Sequence, residues 1–206
     1  MSIHPLTLPP ADARSDEILM HARAAFVEKG FDGASMQDLA RAAGMSAGNF
    51  YRYFPSKSAL VEAMVNRDID EVQRHFNVIV SSANPIAALR QTLISRLDQD
   101  LCGDEHPLWA EIMASAARKP EIAAILTRME LEVADLITRV IGLACHLPAE
   151  DAARRYGAHA RMIILLVRGA STESAQDPQM QSDLKDLIMR TIDKIIGDIV
   201  TDNAGA

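Results

Sequence analysis

Gln37, Asn49 and Arg52 carry the groups that read base edges in DNA. An amide side chain pairs with adenine through one donor and one acceptor, and a guanidinium pairs with guanine. Ala47 is small enough to meet a thymine methyl. Lys57 and the hydroxyls of Tyr51 and Tyr53 suit phosphates, which fix position and supply affinity. Gly48 lets a helix backbone approach closely, and Ser46 stands where a cap is needed. Arg14, before the first helix, is a candidate for a flanking groove. No comparable set exists for catalysis. There is no Glu-x-x-His pair, phosphate loop or G-x-S-x-G elbow. The six histidines are scattered, and Cys102 and Cys145 belong to no CxxC or Cys/His cluster. No catalytic residue, metal site or cofactor is expected.

These residues need a rigid mount, and residues 35–54 read as a helix-turn-helix. Ser35 caps a short helix over 36–43 whose inward face is Met36, Leu39, Ala40 and Ala43. Gly44 supplies the left-handed turn, Met45 plugs it from the apolar side, and Ser46 caps a third helix over 47–53. Two helices crossing through so short a turn need a small residue and a glycine there. Phe50 and Phe54, four apart, form a buried pair, so Ala47, Gly48, Asn49 and Arg52 are left on the outer face. A solvated charge is the competing reading for Arg41, and core packing is the competing reading for Tyr51.

The remaining apolar residues repeat with a helical period. Residues 15–29 form a first helix capped by Ser15, after a disordered arm over 1–11. Longer helices run from Ser56 to about 80, from Pro85 to about 101, over 107–118, from Pro120, from Pro148 to about 174, and from Pro178 to about 200. No strand pattern appears. The expected class is all-α, about nine helices.

The formal net charge of −7 at first argues against a nucleic-acid partner. Its distribution removes the objection. Residues 1–60 hold six basic and six acidic side chains, and residues 61–206 hold 15 and 22. The window 39–57 contains Arg41, Arg52 and Lys57 and no acid. The aliphatic run Met162–Val167 is too short to span a bilayer. Residues 1–13 lack a signal peptide's basic start and apolar core. A cytoplasmic chain with no membrane partner is expected.

The stretch Gln37-Asp38-Leu39-Ala40-Arg41-Ala42-Ala43-Gly44-Met45-Ser46-Ala47-Gly48-Asn49-Phe50-Tyr51-Arg52-Tyr53-Phe54-Pro55-Ser56-Lys57-Ser58-Ala59-Leu60 resembles the DNA-binding signature of the tetracycline-repressor (TetR) family. That signature is an Ala-x-x-Ala-Gly-Val-Ser core, then Gly-x-Leu-Tyr-x-Tyr/His-Phe, then Ser-Lys-x-x-Leu. Met45 replaces Val and Phe50 replaces Leu, apolar for apolar. The close match covers residues 12–62.

The resemblance implies a helix-turn-helix domain over 12–55 and an effector-binding and dimerisation domain over 56–206. It assigns phosphate contact to Tyr51, Tyr53 and Lys57. It implies a ligand-responsive repressor that binds a palindromic operator as a homodimer and leaves it when a small-molecule effector binds; the mainly apolar candidate lining points to a hydrophobic or amphipathic effector. Phe76, Leu93, Leu97, Trp109, Met113, Met129, His159 and Met162 are the candidate effector contacts. Plain core packing is the competing reading for the apolar ones, and solvent exposure for His159 and Arg161. Ile163, Leu166 and Val167, with Leu184, Leu187, Ile188, Ile192 and Ile195, are the candidate dimer residues. A TetR-like activator and a helical-bundle enzyme are the alternatives.

Overall fold

Caps and prolines set the helix boundaries of the computed structural model, which describes residues 11–102, 106–170 and 177–204. Among these residues the chain forms nine α-helices and no strand. They are α1 (Ala11–Lys29), α2 (Met36–Ala42), α3 (Ala47–Tyr53), α4 (Lys57–Val80), α5 (Pro85–Cys102), α6 (His106–Ala116), α7 (Pro120–Ala144), α8 (Ala149–Ala170) and α9 (Pro178–Ala204). Ser56 Oγ accepts from the Ala59 amide at 3.1 Å, which starts α4. Asn84 Oδ1 accepts from the Ala87 amide at 3.0 Å at the head of α5, and Asp177 Oδ1 accepts from the Gln179 amide at 2.9 Å before α9. Each cap satisfies an amide that has no partner inside the helix.

One boundary departs from the expected one. α1 begins at Ala11 rather than at the Ser15 cap. Ala11, Ala13 and Arg14 favour helix. Arg14 therefore stands in the helix, 2.5 Å from Glu17. The expected arm over 1–11 lies outside the described residues except at Ala11, which is the first residue of α1, and the expected end of α8 at 171–174 lies outside them.

Two apolar clusters hold the helices together. The first joins α1, α2, α3 and the first half of α4 to α6 and the start of α7. Phe26, Phe31, Leu39, Phe50, Leu60 and Met64 meet Leu108, Ile112 and Ile122 there. Fully burying such a side chain contributes about 1.5–3 kcal/mol. The second joins the end of α4 to α5, the second half of α7, α8 and α9, through Ile79, Leu97, Ile141, Ile163, Ile192 and Ile196. α4 and α7 thread both clusters.

Candidate nucleic-acid interface and cavity

Ser35 builds the first half of the helix-turn-helix. Its Oγ accepts from the Asp38 amide at 3.1 Å, and the Asp38 carboxylate accepts from the Ser35 amide at 3.0 Å. This reciprocal capping box satisfies two amides at once. Lys29, 2.7 Å from the same carboxylate, ties α1 to α2. That ion pair, with the Ser35 bonds, holds the Asp38 carboxyl well below the usual range. Gly44 ends α2 with φ +64°. Ser46 Oγ then accepts from the Asn49 amide at 3.4 Å to start α3, so its hydroxyl is used in the cap.

Beneath α3, Phe50 is fully buried and packs on Phe54 with ring centroids 6.2 Å apart. Burying Phe50 turns the rest of the helix outward. Gly48, Asn49 and Arg52 are exposed, Ala47 is half-buried, and Tyr51 and Tyr53 are 45% and 38% exposed. Tyr51 is therefore not a core residue. Nothing lies within 4 Å of where a side chain at Gly48 would begin, so the helix surface is open there. Gln37 is exposed on α2, and Arg41, 79% exposed, lies 3.6 Å from Asp38.

Lys57 stands apart from the others. Its ammonium donates to the carbonyls of Phe31 at 2.7 Å and Asp32 at 3.0 Å, and sits 5.4 Å from the Phe31 ring centroid. Burial, and then the charge of Lys119, pull its pKa below the usual lysine range. The α1–α2 turn it grips is held from α6 as well. The Phe31 amide donates to Glu111 Oε2 at 3.1 Å. The Asp32 carboxylate accepts from Arg118 at 2.8 Å and from Lys119. Those two hydrogen bonds hold its carboxyl down at about 2. Four side chains distant in sequence thus converge on one short turn.

A cavity of about 450 Å³ lies where α4, α5, α6, α7 and α8 meet. Its walls are mainly apolar, with Val72, Phe76, Leu93, Met113, Met129 and Val133 among them, and Trp109 at the α6 side. Polar groups include Asp68, Glu71, His75, Gln91, Arg96, Glu130 and Arg168. Glu130 pairs with Arg168 at 3.1 Å and lies 3.7 Å from Arg161. Asp68 pairs with Arg23 of α1 at 3.1 Å, which links the cavity wall to the first helix. Of the candidate effector residues, Phe76, Leu93, Trp109, Met113 and Met129 line this space. Leu97 is fully buried in the second cluster, Met162 is 49% exposed, and neither they nor His159 line it. His159 instead meets Tyr156 edge-on at 5.6 Å.

The candidate dimer residues divide in the same way. Ile163, Ile188 and Ile192 are buried within one chain, while Leu166, Val167, Leu184 and Ile195 are half-buried. Leu187 is exposed, as are Met162 and Leu165 on α8, so α8 and α9 each keep an apolar residue on the surface.

Sequence reasoning did not find Glu111, Arg118, Lys119 and Asp32, nor the polar groups of the cavity. Their partners are far along the chain, with Asp32 86 residues from Arg118, and no local spacing announces such pairs.

Residues 18–64 match the family described as bacterial regulatory proteins, tetR family. The transcriptional regulator UidR of Escherichia coli K12 is 29% identical over 122 residues, 59% of this chain and 61% of its own. The chain thus spans about three fifths of the length of that relative. The structure of Salmonella enterica GusR has 26% identity and a TM-score of 0.64, covering 92% of this chain and 100% of that one. AibR, solved with isovaleryl coenzyme A and operator DNA, shares the fold at 18% identity and a TM-score of 0.63, over 87% of this chain and 97% of its own.

Proposed function

The chain belongs to the TetR family of helix-turn-helix transcriptional regulators, and from that premise we propose that it is a repressor that binds a palindromic operator as a homodimer and releases it when an effector fills the cavity. Residues 12–55 form the DNA-binding part in this reading, and residues 56–206 the effector and dimer part. The protein acts in the cytoplasm, where its DNA is.

The outer face of α3 is the observation that carries the proposal. Asn49, Arg52, Tyr51 and Tyr53 stand exposed above a buried Phe50, on a helix held at both ends. Asn49 and Arg52 read bases, with Gln37 beside them, and the tyrosine hydroxyls hold phosphates. Lys57 adds a positive charge at the head of α4 while it fixes the α1–α2 turn. A dimer must space its two recognition helices about 34–36 Å apart, one turn of DNA. An effector releases DNA only by binding more tightly to a state with another spacing. The structure of AibR with isovaleryl coenzyme A and operator DNA supports a protein of this fold having both kinds of partner.

The test begins with an operator selected from random duplex DNA by the wild-type protein. The Asn49→Ala, Arg52→Ala variant should lose specific affinity by roughly 5- to 150-fold per lost base contact and keep its non-specific binding. Unchanged specific affinity would overturn the site.

A further inference from the structure

Three buried side-chain polar atoms among the described residues have no hydrogen-bond partner: Trp109 Nε1, Ser115 Oγ and His159 Nδ1. Of these residues only Trp109 lines the cavity. It is the chain's one tryptophan and is 9% exposed. An indole N–H donates and cannot accept. Shielded from water and given no acceptor, it bears the whole desolvation penalty of a polar group. Met113 and Met129, which line the same space, adapt their shape to a guest.

The charges around the cavity are already engaged or stand at its edge. Glu130 holds Arg168, Asp68 holds Arg23, and Arg96 is engaged as well. Glu71 and His75 are exposed. An ion seated among the apolar walls would lie away from Glu71 and His75 at the exposed edge, and burial would penalise it heavily.

We infer that the cavity selects an uncharged guest with an apolar body and a hydrogen-bond acceptor, such as a ketone, ester or ether oxygen, directed to Trp109 Nε1. This rests on the reading of the cavity as the effector site, and it names what that effector must present. A pure hydrocarbon leaves the indole unpaired, and a guest whose only polar atoms are donors does the same.

A matched pair of probes separates the inference from the reading beneath it. 1-Tetralone and tetralin share a two-ring frame and differ at one carbon, a carbonyl in the first and a methylene in the second. Transfer from water into an apolar cavity favours tetralin, because it has no carbonyl to desolvate. Binding to the full chain is measured by calorimetry, with Trp109 fluorescence as a direct report of occupancy. Wild type should bind tetralone more tightly by roughly 2- to 10-fold, the yield of one buried hydrogen bond. Trp109→Phe keeps an apolar ring and removes the donor, and it should reverse the preference. A preference unmoved by Trp109→Phe overturns the inference and leaves the cavity reading intact. If that variant melts early, the wild-type comparison suffices, since tighter binding of tetralin also overturns it. Failure of both probes to bind wild type overturns the cavity reading and the inference together.

Discussion

At Asp32 a surface carboxylate has a structural task. Arg118 and Lys119 both donate to it and hold its pKa at about 2, against an ordinary 3.8. A carboxyl lowered on folding contributes stability above its unfolded pKa, and that contribution fades as pH falls through the folded value. Asp32→Asn should therefore melt below wild type at pH 7. The two should converge as pH drops from about 4 to about 2, and thermal melts at a series of pH values check this. Gly44 is a second residue with a definite cost of change. Its φ is +64° and its side-chain space is empty. Gly44→Ala should then cost only the backbone strain, about 1–2 kcal/mol, read by denaturant titration. Gly44, Asn49 and Arg52 were legible because caps, turn glycine and helical spacing act over a few residues. Asp32 was not, because one loop acid looks like another until the fold brings two cations to it.

Among the elements, α6 touches both the cavity and the α1–α2 turn. Trp109 and Met113 line the cavity, while Glu111, two residues from each, turns the other way and accepts from the Phe31 amide at 3.1 Å. One helix thus lies between the cavity and the α1–α2 turn. Glu111→Ala leaves that amide without its acceptor. A loss near 1 kcal/mol should lower the melting temperature by about 2–4 °C, measurable by calorimetry. The helices themselves were mostly legible, since proline at a first turn and Ser, Asn or Asp at a cap act locally. The start of α1 was missed because a good cap at Ser15 competed with helix-favouring residues before it. What α6 packs against was not legible, because its apolar positions are the same whether they face core or cavity.

For the whole molecule, charge and surface decide the outcome. The acid surplus lies beyond residue 60, which leaves the N-terminal face as the place where phosphate is not repelled. Operator affinity should fall steeply between low and physiological salt, and a flat log–log plot would contradict phosphate-led docking. Leu165 and Leu187 are 46% and 55% exposed on α8 and α9. The Leu165→Glu, Leu187→Glu variant should keep its helical spectrum, sediment as a monomer and lose operator affinity, because two half-sites then bind separately. The cavity also has a consequence for breathing. Its wall takes Trp109 from the first apolar cluster and Ile79, Leu93 and Ile163 from the second, and α4 and α7 run past it between the two. Backbone amides along that seam should exchange hydrogen for deuterium sooner than those beside Phe50 or Ile192. A seated guest closes the seam, and the two cores then exchange as one.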